Sequence, residues 1–290
     1  MSPSTDMREN REFASEIKFL VRPALAAQIR DWARARLAPD PHAQCETGDA
    51  YPITSLYFDT ARFDVFHRRG SFGRGKCRIR RYGASEVVFL ERKLKTRGLL
   101  AKRRSLVTLD ELERLAEAEV QRGWAGCWFH RRLLARSLKP VCQISYRRTA
   151  RVAMTRRGPI RLTLDDDLRA VRVGGVRFGA QEGARLSEDR IILELKFRHE
   201  MPALFKYLVE EFALEAQPFS KYRLAAIKLG LARETATGFP ERNLADTAEA
   251  ISGSCSSRRE EAPVRGQKSE ASQSLLTSAA TAMKEVLPYA

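Results

Sequence analysis

Strand after strand in this sequence carries charge on every second residue and apolar side chains on the residues between. In "GKCRIRRYG", residues 75–83, Lys76, Arg78 and Arg80 fall on one face of an extended chain, while Cys77 and Ile79 fall on the other. Glu16 and Lys18 alternate with Ile17 and Phe19, and Glu91, Lys93 and Lys95 lie opposite Leu90 and Leu94. Arg161, Thr163 and Asp165 alternate with Leu162 and Leu164, and Glu194 and Lys196 with Leu193, Leu195 and Phe197. One such strand is explained by a single solvated face. Repeated along the chain with Arg and Lys in excess, the pattern implies that the apolar faces pack under helices and the ionic faces converge. Same-face neighbours sit about 7 Å apart along a strand. Like charges at that spacing repel by about 2 kcal/mol per pair at an effective dielectric near 20. Such a face is strained when empty and relieved by an anion of several charges. A polyphosphate meets that demand, with metal ions carried by the interspersed carboxylates.

The strand-like stretches are "SEIKFLV", "TSLYFDT", "GKCRIRRYG", "SEVVFLERKLK", "RRSLVTL", "VCQISYRRTARVAM", "IRLTLDDDLRAVRV" and "RIILELKFR". About eight strands with short connections predict an antiparallel sheet or barrel. Helices are expected in "RPALAAQIRDWARARL", in "TLDELERLAEAEV" with Thr108 and Glu111 at capping-box spacing, and in "MPALFKYLVEEFAL". A fourth, "SKYRLAAIKLG", starts at Ser220 and stops at Gly230. Trp32, Trp124 and Trp128 read as packing residues, as do Tyr57 and Phe58 of "SLYFDT"; "RRSL" at 103–106 and "RRG" at 156–158 read as solvated turns, with contact to the outer phosphates of a ligand as the alternative. The fold class is therefore α+β: a domain over residues 13–235, after a flexible N-terminus at 1–12 and before a disordered tail at 236–290 rich in Ser, Ala, Glu and Arg.

Net charge is +16 over 290 residues, and the tail holds six basic and seven acidic residues, so residues 1–235 carry +17. That predicts an anionic partner. The five cysteines, Cys45, Cys77, Cys127, Cys142 and Cys255, form no CxxC pair, which argues against a zinc site or a disulfide framework and fits a reducing cytoplasm. The N-terminus lacks an apolar signal-peptide core, and no window approaches the roughly 20 apolar residues of a membrane span. Nucleic-acid binding is disfavoured, because the cations are spread over many strands and no RNA- or DNA-binding motif occurs. Of the four histidines, His42, His67, His130 and His199, none has the context of a catalytic triad.

The ordered segments EIKF, SLYFDT, RIRRYG, FLERKLK, SYRRTA, RLTLDDDL, LELKF and FSKY resemble the VTC domain, the polyphosphate polymerase domain of the vacuolar transporter chaperone complex and its bacterial relatives. The wider grouping is the triphosphate tunnel enzymes. The resemblance runs from about Phe13 to Leu231. It implies an eight-stranded antiparallel β-barrel with packed helices and a basic tunnel, a nucleoside triphosphate and polyphosphate as partners, and Mn²⁺ or Mg²⁺ as cofactor. It implies that Arg78, Arg80, Lys93, Arg148 and Lys196 are catalytic, that Lys18, Arg161, Lys221 and Lys102 bind phosphates, and that Glu194 binds the metal. Glu16 and Glu91 are further candidates for the metal or for orienting cations. Two departures stand out. Pro218 occupies the place of a lysine in the eukaryotic polymerase, and Ala14 the place of the first Glu of the ExExK that opens the other tunnel enzymes.

Phosphoryl transfer is catalysed mainly by positioning and charge neutralisation, so such a cage needs no Ser, Cys or His nucleophile. The expected reaction is transfer of a γ-phosphate to a growing polyphosphate chain. A triphosphatase on the same fold and a non-catalytic polyphosphate-binding module remain as alternatives, and a protein partner is left unidentified.

Overall fold

The computed structural model describes residues 6–7, 15–43, 48–96, 99–187, 189–198 and 200–233. Cys45, Cys255, His199 and the expected tail at 236–290 lie outside them, as does the expected flexible N-terminus apart from Asp6–Met7. Among the described residues eleven strands are formed. In chain order they are β1 (Asp6–Met7), β2 (Ser15–Val21), β3 (Ala38–Pro39), β4 (Ala50–Asp59), β5 (Gly75–Tyr82), β6 (Val87–Thr96), β7 (Leu99–Thr108), β8 (Lys139–Thr155), β9 (Gly158–Arg172), β10 (Ala184–Arg185) and β11 (Ile191–Phe197). Four α-helices interleave with them: α1 (Pro23–Arg36), α2 (Cys127–Ala135), α3 (Ala203–Glu211) and α4 (Lys221–Lys228).

The strands form a single antiparallel sheet in the order β1-β7-β6-β5-β4-β8-β9-β11-β2, with β3 on β8 and β10 on β9. This corrects the expected closed barrel of eight. Three additional two-residue strands are present, and among the described residues the hydrogen-bonded path has two ends, at β1 and at β2. The sheet nonetheless curls enough for Lys93 on β6 to reach Glu16 on β2, Nζ to Oε2 at 2.8 Å.

Alternation decides which face is dry. Leu193, Leu195 and Phe197 of β11, Leu162 and Leu164 of β9, and Phe19 of β2 pack against Ile29 and Trp32 of α1 and Phe205 and Leu208 of α3. A second core joins Ile53, Leu56, Ile79, Leu90 and Ile144 of β4, β5, β6 and β8 to Phe129 of α2 and Ala225 of α4. Each fully buried aliphatic or Phe side chain stabilises by about 1.5–3 kcal/mol. The two cores lie behind the sheet and leave the ionic faces to one another.

Local signals explain the helix ends. Pro23 opens α1, the Ser220 hydroxyl caps α4 by accepting from the Arg223 N–H at 3.3 Å, and Gly230 adopts φ +62° just beyond it. The segment "TLDELERLAEAEV" forms a 3-10 turn over Asp110–Ala116 instead of the expected α-helix. Its two buried residues, Leu112 and Leu115, are three apart, which is the repeat of a 3-10 helix. The carboxylate half of the capping box is made all the same: Glu111 accepts from the Thr108 N–H at 3.0 Å. Arg103 and Arg104 lie within β7 and not in a turn, whereas "RRG" does form the β8–β9 turn, with Gly158 at φ +105°.

At the end of β4, Asp59 is fully buried and accepts from the backbone N–H groups of Thr60, Val65 and Phe66 at 2.7–2.9 Å, and from the Tyr222 hydroxyl at 2.5 Å. Arg223 adds a bond to the Phe66 carbonyl at 2.7 Å. This loop clasps the first turn of α4 and aims it at the ionic face.

Candidate functional site

The ionic faces of β2, β5, β6, β8 and β11 meet in a cavity of about 100 Å³. Eight cations line it: Lys18, Lys76, Arg78, Arg80, Lys93, Arg148, Lys196 and Lys221. Two carboxylates do so as well, Glu16 and Glu194. Nine of the twelve residues expected from sequence therefore converge. The remaining three are placed elsewhere. Glu91 is buried behind the lining, where it binds Arg78 Nη2 at 2.6 Å, Lys102 at 3.0 Å and Arg104 at 3.7 Å. That position suits orienting cations. Lys102 is turned to Glu91, and Arg161 is held by Asp40 at 2.9 Å and the Tyr51 hydroxyl at 3.1 Å.

Strand register builds the ion pairs. Lys18 on β2 stands opposite Glu194 on β11, and Lys196 opposite Glu16. Lys18 Nζ lies 3.0 Å from Glu16 and 3.5 Å from Glu194, and Lys196 lies 3.3 Å from Glu194. Arg148 on β8 is paired in register with Asp165 on β9 and grips it with two bonds of 2.6 and 2.7 Å. Lys221, delivered by α4, reaches Asp165 at 2.6 Å and Glu194 at 3.1 Å. Such partners offset the cost of taking these charges out of water.

These contacts set the protonation states. Burial and Glu194 push the Glu16 carboxyl up, but Lys196, Lys93 and Lys18 outweigh them and hold it below the usual carboxylate range. Glu194 is likewise lowered against its burial by Lys221, Lys18, Lys196 and Arg148. Burial pulls Lys221 and Arg148 down, but Asp165 and Glu194 outweigh it and keep both protonated. Lys196 differs. Burial brings it down to about 8 in spite of Glu194 and Glu16. Lys76 falls to about 7 through burial and the neighbouring Lys18, Lys93, Arg68 and Arg223.

Several groups that sequence left out belong to the site. Tyr57, expected to serve packing, lines the cavity and receives a bond from Arg78 at 3.2 Å. The Tyr146 hydroxyl accepts from Arg80 at 2.9 Å, and Ser220 accepts from Lys76 Nζ at 2.8 Å. Asp165 shared its strand face with Arg161 in the sequence pattern, yet its part in fixing Arg148 and Lys221 needed β8, β9 and α4 to be assembled.

Among the described residues no group of three or more His, Cys, Asp or Glu side chains is clustered for a metal. Glu16 and Glu194 are nevertheless two ionised carboxylates facing one cavity. Mg²⁺ is commonly held by one or two carboxylates together with substrate phosphates and water, so this donor set fits such an ion.

The curled antiparallel sheet thus presents a cage of guanidinium and ammonium groups on its inner face. The family is specific: the sequence model of the VTC domain matches residues 13–229, and the chain belongs to that family. Solved structures with a similar fold include a putative adenylate cyclase from Bacillus halodurans, at 17% identity and TM-score 0.47, covering 72% of this chain and 94% of that one. Another is the putative adenylyl cyclase HpAC1 from Hippeastrum, described as having a dominant triphosphatase activity, at 14% identity and TM-score 0.44 with 74% and 96% covered. A Pyrococcus horikoshii protein aligns at 12% identity and TM-score 0.42, with 74% and 99% covered. No curated protein matches. No described helix is long and apolar enough to cross a membrane.

Proposed function

We infer that this chain is a metal-dependent polyphosphate polymerase that acts in the cytoplasm and transfers the γ-phosphoryl group of a nucleoside triphosphate to a growing polyphosphate chain. The observation that carries this reading is the convergence of eight cations and two ionised carboxylates on one cavity that no cysteine or histidine lines. Membership of the VTC-domain family supports it.

Arg78, Arg80, Lys93, Arg148 and Lys196 would surround the transferred group, while Lys18 and Lys221 hold the phosphates on either side. Lys102 and Arg161, outside the cavity, would meet more distant phosphates. A terminal oxygen of the chain attacks the γ-phosphorus in line; the bond from γ-phosphorus to the β–γ bridging oxygen breaks, and the nucleoside diphosphate leaves with the electron pair. Glu194 and Glu16 would hold a divalent cation, which supplies neutralisation of phosphate charge when bound. The lysines and arginines do the same from fixed positions, so little reorganisation accompanies the transfer.

The test is incubation of the purified protein with ATP and Mn²⁺ or Mg²⁺, with products resolved on a gel stained for polyphosphate and free phosphate assayed in parallel. A ladder is expected, and Arg78→Met should abolish it with the fold retained. Free phosphate alone would replace the polymerase with a hydrolase, and tight polyphosphate binding without turnover would replace it with a binding module.

A further inference from the structure

The cavity cations are not equally neutralised. Lys18, Lys93, Lys196, Lys221, Arg78 and Arg148 each have a carboxylate oxygen within 4 Å. Among the described residues Lys76 and Arg80 have none. Lys76 bonds only the neutral Ser220 hydroxyl, and Arg80 bonds the hydroxyls of Ser55 at 3.2 Å and Tyr146 at 2.9 Å. Register sharpens the case for Lys76. Lys76, Lys93 and Lys102 stand side by side on β5, β6 and β7, where directly opposed like charges are destabilising. Lys93 is relieved by Glu16 and Lys102 by Glu91, whereas Lys76 has no acid to relieve it.

The two unneutralised cations share one face of β5, four residues apart, hence about 13 Å along the strand. Arg78 lies between them and is already committed to Glu91. Lys76 sits at the end where Ser220 caps α4, and Arg80 at the end where Tyr82 approaches its guanidinium, 6.0 Å from the ring centroid.

We propose that Lys76 is a chain-length-determining phosphate ligand: with Arg80 as the opposite pole, it makes tight binding depend on a linear polyphosphate long enough to reach both. This rests on the polyanion reading of the cavity. A single phosphate satisfies one pole and leaves the other uncompensated. A triphosphate or longer chain supplies charge to both ends. Around Lys76 the charged groups are Lys18 and Glu16 from β2, Lys93 from β6, Arg68 from the preceding loop and Arg223 from α4. With four cations against one acid that Lys18 and Lys93 already hold, an arriving phosphate also draws a proton onto Lys76.

Calorimetric titration with orthophosphate, pyrophosphate, tripolyphosphate and a longer chain tests this on the intact protein. Wild-type affinity should climb with length, and Lys76→Met should weaken tripolyphosphate about 10- to 100-fold, the worth of one charge-assisted bond. Orthophosphate affinity should change little, Lys76→Arg should restore the climb, and proton uptake at pH 8, read from the dependence of heat on buffer, should fall in Lys76→Met. Wild-type affinity of Lys76→Met for long chains, or an equal loss for orthophosphate, overturns the proposal. A protein that binds chains in this length-dependent way but makes no polymer leaves the inference standing and removes the polymerase. A Lys76→Met enzyme that binds and elongates like wild type does the reverse.

Discussion

The two faces of β11 are one residue apart and obey different rules. Leu193 and Leu195 are fully buried against α1 and α3, and every atom there gains by being out of water. Glu194 and Lys196 between them are also shielded, yet they persist only because other charges stand within 4 Å. The dry face holds the fold together without reference to a ligand. The ionic face is a set of desolvated charges whose excess is positive, and it gains only where opposite charges meet.

The sharpest way to break this contrast is within the ionic face. Arg148→Met strands Asp165 with Lys221 as its remaining partner, so denaturant unfolding should show a loss of about 3–5 kcal/mol. Arg80→Met removes a cation whose hydrogen bonds go to hydroxyls and not to a carboxylate, and its stability should stay level or rise while turnover disappears. Equal destabilisation by the two changes would show that neutralisation does not separate these arginines. On the dry face, Leu195→Ala should cost about 2–5 kcal/mol through lost burial and the cavity left behind. Below its new midpoint the variant should still bind tripolyphosphate with unaltered affinity; a parallel loss of binding would mean that the faces are not independent.

A smaller effect is expected from pH. The lysines at about 7 and about 8, Lys76 and Lys196, bind fewer protons in the folded than in the unfolded chain between those values and the ordinary lysine range. Stability rises with pH wherever the unfolded state holds more protons. Unfolding of the ligand-free protein, followed from pH 7 to pH 9, should therefore show increasing stability from these two groups, and Lys76→Met should flatten the slope. Saturating polyphosphate should flatten it as well, because a bound anion returns both ammonium groups to their charged form.

The ionic lining was legible because period-two alternation survives in the sequence wherever one face is polar. Lys18, Arg78, Arg80, Lys93, Lys196, Glu16 and Glu194 all follow from it, and the family resemblance added Arg148 and Lys221. Tyr57 was not legible, since "LYFD" alternates one aromatic with another and offers no polarity contrast between faces. Its hydroxyl became visible only when Arg78 was found paired with it across β4 and β5. Arg161 had the right alternation and Lys102 came from the resemblance, but alternation within one strand does not say that Asp40 of a loop and Glu91 of a neighbouring strand draw them aside. Closure of the barrel failed for a related reason, because pairing of the outermost strands depends on curvature and not on residue pattern.

Among the described residues β2 ends the strand order, and its Glu16 meets Lys93 of β6 through side chains alone. A contact of that kind parts without unzipping a ladder of amides, and a phosphate oxygen can take the place of the carboxylate on the lysine.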